Sequence, residues 1–502
     1  MTTIKQMLSL LIVFLTINLM TQAQKSFFPE IKNVGDPAIS GKMVFDSEKQ
    51  SYELTGAGTN MWFDKDECFY AARIVSCDFI LTSKVEILTT TGNAHRKMGL
   101  MIRQSMETNS AYADIILHAD GLLSLQYRPK QGAITEEVKF TESGAQYLQI
   151  EKKGSKILAR IAQTEKALTA AKEIELSFDA PFYVGLVVGS HDAALTVTGL
   201  FSNVRFDVPA AEGVDGYQSP SASRLEILDT ETGLRKVIYS TQTHIEAPNW
   251  SRDGKFLIYN SGGKLFKFDL KKGTPEVIES GVAINNNNDH GISFDGKTLA
   301  VSNHTKENGS NASNIYTLPV KGGKAFRVTE KGPSYWHGWS PDGKLLVFCA
   351  ERDGDYNVFQ IPAKGGQEKQ LTNTPGLDDG PEYSPDGKYI YFNSTRTGLM
   401  QIWRMKPDGS DQEQVTFDNY QNWFAHLSPD GKKMMYISYP TEVPATSHPH
   451  NQRVMLRMQN VGEKEGKPLA HIYGGQGTFN VPSWSPDSKK VAFVSYTYGE
   501  LE

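Results

Sequence analysis

The chain has 502 residues with 52 basic and 57 acidic side chains, which gives a formal net charge of −5 at neutral pH. Charges of both signs are mixed along the chain, so we expect neither nucleic acid nor an anionic membrane surface as a partner. A chain of this length has room for two or three domains.

The N-terminal segment has the composition of a leader. Lys5 precedes an apolar run from Met7 to Met20, and Thr21-Gln-Ala-Gln follows it. The run is too short and too weakly flanked for a membrane-spanning helix, so it predicts a cleaved signal peptide over residues 1–24. We therefore expect a periplasmic or secreted protein without a membrane span.

Residues 28–208 contain strand-like apolar or alternating runs separated by polar turns, which predicts an all-β sandwich. Among these runs are Met98-Gly-Leu-Met-Ile-Arg, Tyr112-Ala-Asp-Ile-Ile-Leu and Phe182-Tyr-Val-Gly-Leu-Val-Val. The stretch 209–223 is rich in Ala, Gly, Pro and Ser, and it predicts a linker.

A short phrase recurs through the second half of the chain. Its aspartates stand at 253, 295, 342, 386, 430 and 487, which are spaced 42, 47, 44, 44 and 57 residues apart. Such a period indicates repeated supersecondary units. The six copies are Ser251-Arg-Asp-Gly, Ser293-Phe-Asp-Gly, Ser340-Pro-Asp-Gly, Ser384-Pro-Asp-Gly, Ser428-Pro-Asp-Gly and Ser485-Pro-Asp-Ser.

Each repeat has the pattern of one propeller blade. The Asp-Gly turn joins two strands, and two more apolar strands follow before the next copy, which makes four strands per unit. A large apolar residue precedes every Ser, and we expect this residue to pack between neighbouring blades. These residues are Trp250, Ile292, Trp339, Tyr383, Leu427 and Trp484.

The two ends of the repeat region complete each other. The runs that begin at Arg224 and Lys236 look like two outer strands, whereas the chain ends on two inner strands near Val491. We therefore predict six blades over residues 224–502, the sixth built from both ends, which removes free sheet edges. The predicted fold class is all-β, a six-bladed β-propeller preceded by a β-sandwich, which the resemblance described next identifies as a jelly-roll β-sandwich.

The repeat consists of the phrase Trp-Ser-Pro-Asp-Gly-Lys, an apolar strand and a Gly-Gly turn such as Lys321-Gly-Gly. It resembles the WD40-like repeat of TolB-type six-bladed propellers. The strands of residues 28–208 resemble concanavalin A-like jelly-roll domains of bacterial exported proteins. The resemblance to TolB-type proteins implies that this chain binds a partner in the cell envelope. The sequence departs from TolB itself in its N-terminal region, where TolB has an α/β domain, and this departure counts against a Tol-Pal role.

The repeat also predicts where a site would lie. The residues two and three positions before each Ser should surround the channel mouth, and this rule selects His290, His337, Glu382 and His426. The loops between second and third strands open on the same face and add His304 and His448. Together with Arg396 and Tyr439, which lie nearby, these residues form the predicted ligand-binding set.

Two interpretations of this rim stay open. Neutral imidazoles with a carboxylate suit a divalent Mn, Fe or Zn ion, with His290, His337, His426 and His448 as ligands. Alternatively, the histidines make local hydrogen bonds or bind a polar ligand without metal. Each of the charged loop residues alone is expected to be solvated, but together they suit an anionic or sugar ligand. These residues are Arg352, Asp378, Asp379, Arg396 and Arg453.

Two functions follow. The first is a monomeric exported protein that binds a carbohydrate, a glycopeptide or an envelope protein. The second is a metal-dependent carbohydrate lyase or hydrolase that resembles oligogalacturonate lyase, a propeller with a His-ligated Mn site. The Gln-x-x-His-x-His string of that family is not reproduced, because Ala445 stands before His448-Pro-His450 where the Gln is expected.

Overall fold

The structure is a computed structural model that describes residues 26–163, 166–216, 221–307 and 310–499. The predicted signal peptide and part of the predicted linker lie outside these residues. The described chain is built from strands, and none of it forms a helix long and apolar enough to cross a membrane. The strands divide between two compact units, and the second contains all described residues from 205 onward.

The N-terminal strands number sixteen in the described residues. They are β1 (Glu30–Val34), β2 (Lys42–Asp46), β3 (Ser51–Gly58), β4 (Met61–Trp62), β5 (Lys65–Asp66), β6 (Cys68–Val75), β7 (Phe79–Ile87), β8 (Lys97–Arg103), β9 (Tyr112–His118), β10 (Leu123–Arg128), β11 (Glu136–Lys139), β12 (Tyr147–Lys153), β13 (Lys156–Ala162), β14 (Ala170–Glu175), β15 (Phe182–Gly189) and β16 (Asp192–Asp207).

These strands form two seven-stranded sheets and one small hairpin of β4 and β5. The first sheet has the order β1-β6-β15-β8-β9-β10-β11, and the second has the order β14-β13-β12-β7-β16-β3-β2. Every residue of β8 and β9 is buried, as expected for central strands that are covered on both sides. The all-β character of this region is thus as predicted, while its assignment as a jelly roll stays a prediction.

The propeller strands follow in chain order. They are β17 (Ala222–Asp229), β18 (Arg235–Thr241), β19 (Glu246–Trp250), β20 (Phe256–Ser261), β21 (Lys264–Asp269), β22 (Thr274–Ile278), β23 (Asn286–Ile292), β24 (Thr298–Glu307), β25 (Ser310–Pro319), β26 (Phe326–Arg327), β27 (Ser334–Trp339), β28 (Leu345–Arg352), β29 (Asp355–Pro362), β30 (Lys369–Gln370), β31 (Asp378–Tyr383), β32 (Ile390–Ser394), β33 (Gln401–Met405), β34 (Glu413–Gln414), β35 (Gln421–Leu427), β36 (Lys433–Tyr439), β37 (Gln452–Asn460), β38 (Lys467–Gly474) and β39 (Lys490–Thr497).

Strands β19 to β38 form five consecutive four-stranded antiparallel blades. The sixth blade has the order β18-β17-β39, with Trp484 bridged to Val491 on its inner side. Its outer strands therefore come from the start of the propeller and its inner strands from the end. The predicted six blades and the predicted closure are both confirmed.

The hydrophobic core of the propeller lies between neighbouring blades. Each interface has its own cluster of buried side chains, and each cluster contains one of the large apolar residues that precede the repeated Ser. Two of the tryptophans also bridge the blades with their indole N–H groups. Trp339 donates to the Gly291 carbonyl at 3.0 Å, and Trp484 donates to the His426 carbonyl at 2.9 Å.

The repeated Ser and Asp hold the turn between the first two strands of each blade. In the third copy, Ser340 Oγ donates to Asp342 Oδ1 at 2.7 Å and accepts from the Leu345 backbone N–H at 2.9 Å. The same pair of bonds recurs in the other five copies. The repeated Ser and Asp therefore stabilise the turn of each blade.

The innermost strands carry an irregularity that decides where their side chains point. The pairing of β19, β23, β27, β31 and β35 with the next strand shifts register in the residues just before the repeated Ser. A bulge of this kind turns the following side chains toward the opposite face. Residues that stand the same number of positions before the repeated Ser therefore occupy equivalent places in the different blades. The alternation of side chains between the two faces of the strand, however, does not continue across the bulge.

Candidate functional site

A cavity of about 720 Å³ lies in the propeller. Most of its lining comes from the innermost strands and from the loops that join second and third strands, which is the face that the sequence predicts. The lining residues are Asn287, Asn288, Asp289, His304, Tyr335, His337, Cys349, Gly354, Asp355, Tyr356, Gly376, Leu377, Asp379, Phe424, Thr446, His448, Gln476 and Asn480.

A charged cluster of two carboxylates and one imidazole lies in this cavity. His337 Nε2 is 3.1 Å from Asp379 Oδ1, and the two side chains are only 6% and 14% exposed. The Gly380 backbone N–H donates to the same Asp379 oxygen at 2.7 Å. Asp289 accepts a hydrogen bond from the Asn287 side-chain amide at 2.7 Å, so each carboxylate is held in place.

Burial and mutual charge set the ionisation of this cluster. Burial lowers the pKa of His337, but the Asp379 and Asp289 carboxylates outweigh it and raise that pKa above its usual value. Burial raises the pKa of Asp379, but the His337 charge prevails and lowers it to about 2. Burial raises the pKa of Asp289 to about 6, although His337 opposes this shift. Asp289 is thus able to exchange a proton near neutral pH.

A neighbouring part of the cavity wall is held by a chain of polar contacts. His448 Nδ1–H donates to Gln476 Oε1 at 2.6 Å, and the Asn480 amide donates to the same oxygen at 2.8 Å. The His448 ring also lies edge-on to Trp423 and Phe424, with centroids 4.5 and 5.2 Å apart. Burial lowers the pKa of His448, which favours its neutral form.

Three of the eight predicted ligand-binding residues line the cavity, namely His304, His337 and His448. The other five lie elsewhere in the propeller. His290 is completely buried and its Nε2–H donates to the Ile258 carbonyl at 3.2 Å. Tyr439 is part of the hydrophobic core between the fifth and sixth blades.

Glu382 and His426 face each other within the channel. His426 Nδ1 is 2.5 Å from Glu382 Oε2, and its Nε2–H donates to the Phe479 carbonyl at 3.3 Å. Both ring nitrogens are therefore engaged by the protein. The pair has the character of an internal tie between the fourth and fifth blades.

The charged loop residues are not solvated as expected. Arg396 makes a bidentate ion pair with Asp378 at 3.0 and 2.9 Å, and Asp378 is almost fully buried. Arg352 pairs in the same way with Glu368 at 3.0 and 2.9 Å. The arginines that suggested an anionic ligand are thus paired within the fold, and neither lines the cavity.

The histidines that the sequence suggests as metal ligands do not form one cluster. Among the described residues of the propeller, the group with metal-ligand proximity is His244, Glu246 and His450, whose ligand atoms lie within 4.8 Å of one another. None of His290, His337, His426 or His448 belongs to it. Their role as metal ligands stays a prediction that this geometry does not favour.

Sequence reasoning missed one register position. Measured five residues before each repeated Ser, the chain has Glu246, Asn288, Tyr335, Asp379, Trp423 and Asn480. Four of these line the cavity, and Glu246 is the acid of the metal-type group. The same rule would have selected these residues if it had been applied five positions before the repeated Ser, beyond the bulge, as well as two and three positions before it.

The family model described as TolB beta propeller domain matches residues 337–465. Uncharacterized protein Atu1656 of Agrobacterium fabrum is 44% identical over 275 residues, which cover 55% of this chain and 92% of that protein. A solved Agrobacterium tumefaciens structure that carries the TolB name is 44% identical, covers 55% of this chain and 98% of its own, and has a TM-score of 0.53.

A more distant match is the Tol-Pal system protein TolB of Francisella tularensis. It is 28% identical over 125 residues, which cover 24% of this chain and 28% of that protein. This similarity extends over only a fraction of either chain, whereas the match to Atu1656 extends over nearly the whole of the relative. The chain therefore belongs to the TolB-type β-propeller proteins.

Proposed function

We propose that this chain is an exported cell-envelope protein whose propeller binds a saccharide-containing ligand, such as a glycan or a glycopeptide, in the cavity around His337. The cavity itself carries the proposal. Its volume of about 720 Å³ falls in the range of small-molecule sites. The envelope location is supported by the similarity to proteins of the Tol-Pal system, and the predicted signal peptide agrees with it.

The composition of the cavity wall favours a sugar. Tyr335 and Tyr356 offer partly exposed aromatic rings, which lie 6.5 Å apart. Such rings stack on the apolar faces of pyranoses. Histidine, asparagine and carboxylate groups between the rings supply the hydrogen bonds that hydroxyl groups need.

The charge of the wall narrows the choice further. The described lining contains three aspartates and neither lysine nor arginine. A neutral saccharide or one that carries an amine fits this wall better than an acidic one, because a buried anion would face three aspartates, and the His337 imidazolium is already paired with Asp379. Amino sugars and glycopeptides with a free amine are therefore the ligand class that we favour.

Binding can be tested by titration calorimetry with peptidoglycan fragments, amino-sugar oligosaccharides and acidic oligosaccharides. We expect the amine-containing members to bind and the acidic ones to bind weakly or not at all. Tyr356→Ala should weaken binding by about fivefold or more, since an aromatic ring that stacks on a planar ligand such as a base contributes about 1–3 kcal/mol. Phe326→Ala is the matched control, because that ring is 53% exposed and lies outside the cavity.

Two results would reject this proposal. One is the absence of binding by every member of the panel. The other is equal affinity of the wild type, Tyr356→Ala and Phe326→Ala, since a ligand that ignores the cavity would bind at another surface. Binding of an intact envelope protein that carries no saccharide would favour a protein partner, the third class that the sequence suggests.

A second candidate function, an enzyme that cleaves the saccharide, is favoured by Asp289. Its pKa of about 6 and its place beside His337 suit general acid–base catalysis. Asp289→Asn should then abolish turnover without abolishing binding. Reducing-sugar release would reveal a hydrolase, and ultraviolet absorbance of an unsaturated product would reveal a lyase.

A further inference from the structure

His244, Glu246 and His450 bring three ligand-type side chains together outside the cavity lining. His244 Nε2 lies 3.3 Å from Glu246 Oε1, and His450 Nε2 lies 3.6 Å from the same oxygen. All three side chains are at least 87% buried, with exposures of 13%, 8% and 7%. Two imidazole nitrogens therefore face one carboxylate oxygen in a site that is largely closed to solvent.

The three residues come from distant parts of the ring. Glu246 begins the innermost strand of the first blade, and His244 stands two residues before it. His450 lies near the end of the loop between β36 and β37 in the fifth blade. This loop passes over the sixth blade to reach the first. Its path is tightly packed, because a Cβ at Gly216 would lie 2.6 Å from the His450 ring.

Outer contacts fix the orientation of the group. The Asn260 amide donates to Glu246 Oε2 at 3.3 Å, and the Asn288 amide donates to Oε1 at 3.5 Å. His244 Nδ1 is 3.3 Å from Ser221 Oγ, which leaves Nε2 directed at the carboxylate. Metal-binding histidines characteristically have their second ring nitrogen held in this way.

The distances match a shared ion. Two ligands that each lie about 2.0–2.1 Å from a tetrahedral metal are roughly 3.3 Å apart. The two nitrogen-to-oxygen separations of 3.3 and 3.6 Å are close to this value. A plain hydrogen bond explains the contact of His244 less well, because its buried Nε2 does not meet hydrogen-bond geometry with any described residue.

We propose that His244, Glu246 and His450 bind a divalent transition-metal ion, of the class of Zn²⁺, Mn²⁺ or Fe²⁺. Two neutral imidazoles and one carboxylate select this class over Ca²⁺ or Mg²⁺, which prefer oxygen ligands alone. Three protein ligands leave at least one coordination position for water or substrate. The proposal is separate from the saccharide-binding function, since none of the three residues lines that cavity.

The ion would nevertheless lie beside the cavity. Asn288 donates to Glu246 and also lines the cavity wall. Gly477 closes the site from the other side, because its Cβ would lie 2.8 Å from Glu246 Cγ, and its φ of +82° disfavours other residues. A bound ion could thus influence a ligand in the cavity through one shared residue.

The direct test is metal content. The purified full chain is stripped with a chelator, dialysed, and titrated with Zn²⁺ and separately with Mn²⁺, with bound metal measured by mass spectrometry. We expect one ion per chain. Replacement by Co²⁺ should add visible absorption bands that report nitrogen and oxygen ligation, a readout that needs neither substrate nor activity.

Variants assign the ion to its ligands. His244→Ala and Glu246→Gln should each weaken binding by at least about 100-fold, since even outer contacts of metal sites contribute 10- to 100-fold. The nearly isosteric Glu246→Gln keeps the test valid if the alanine variant fails to fold. His95→Ala is the matched control, because His95, His118 and Asp120 form the other metal-type group, in the N-terminal unit, where His95 is exposed.

The result that overturns the proposal is equally concrete. The proposal is overturned if neither Zn²⁺ nor Mn²⁺ binds at micromolar concentration. It is also overturned if His95→Ala removes metal binding while Glu246→Gln leaves it intact. Saccharide binding is measured on the same preparations. If the protein binds saccharide but no metal, the proposed function holds and the metal site is rejected. If it binds metal but no saccharide, the metal site holds and the proposed function is rejected.

Discussion

The His337 imidazole and the Asp379 carboxylate form an ion pair 3.1 Å long inside the propeller cavity. Both residues come from innermost strands, in neighbouring blades, and both are nearly buried. Each raises the tendency of the other to be charged, so the pair presents a fixed dipole to any ligand in the cavity. The strength of this ion pair can be measured through the pKa of the His337 imidazole.

Replacing Asp379 by Asn should lower the pKa of His337. The wild-type pKa is raised above the usual value although burial opposes this, because the Asp379 charge favours the imidazolium. Without that charge, burial is opposed mainly by the Asp289 carboxylate, so the pKa of His337 should fall. NMR titration of the histidine ring protons measures the change directly.

Asp355→Asn is the control for this experiment, since Asp355 also lines the cavity but is exposed. Its substitution should leave the His337 titration nearly unchanged. The sign for stability follows from the raised pKa of His337. The stabilisation is complete below its unfolded pKa, about 6.5, and is lost as the pH rises through the folded value. Equal titration curves in Asp379→Asn and the wild type would contradict the assigned pairing.

Asp289→Asn should change how stability depends on pH. Burial raises the folded pKa of Asp289 from its usual value of 3.8 to about 6, so the folded state favours the protonated form. The wild type gains this stabilisation below about pH 4 and loses it as the pH rises to about 6, a difference on the order of 3 kcal/mol. The asparagine variant lacks this change.

Urea unfolding of both proteins at pH 4 and pH 7 makes the comparison. Relative to the wild type, Asp289→Asn should be more stable at pH 7 than it is at pH 4. If the stability difference between the two proteins is the same at both values, the pKa of Asp289 is not raised in the folded protein. Asp355→Asn again serves as the control.

The repeat made the fold predictable, whereas the site needed geometry that the repeat does not contain. Six copies of one phrase give the number of blades, and the unequal ends predict the closure. His337 was found because it stands three residues before Ser340, although it is the unpaired residue of the bulge in its strand. Asp379 and Glu246 were missed because a bulge lies between them and the repeated Ser, and alternation cannot be extended through it. The sequence places the loop of His448 and His450 at the rim, but no spacing reveals that this loop brings His450 to Glu246.

Ring closure should depend on Glu226. This buried carboxylate of β17 accepts from Arg235 of β18 at 2.9 Å and from Ser495 of β39 at 2.6 Å. Glu226→Gln removes the charge and leaves the buried Arg235 guanidinium without it, which should cost about 3–5 kcal/mol. Glu231→Gln, at an exposed turn next to the same strand, should cost less than about 0.5 kcal/mol. Urea unfolding measures both, and equal midpoints would mean that this tie does not hold the ring closed.

The indole bridge between blades can be separated from simple packing by two matched substitutions. Trp339 and Trp250 occupy the same repeat position and are both buried, but only Trp339 donates its indole N–H, to Gly291 at 3.0 Å. The Trp250 indole nitrogen has no hydrogen-bond partner among the described residues. Changing either residue to Phe removes similar apolar area, so the difference isolates the bridge.

We expect Trp339→Phe to destabilise the propeller by about 1–2 kcal/mol more than Trp250→Phe, because the Gly291 carbonyl then loses its donor in a buried interface. Trp250→Phe instead removes a buried N–H that lacks a partner, which offsets part of its packing loss. Urea unfolding of the two variants beside the wild type gives both values. Equal losses would show that the tryptophans hold the blades together by their apolar surface alone.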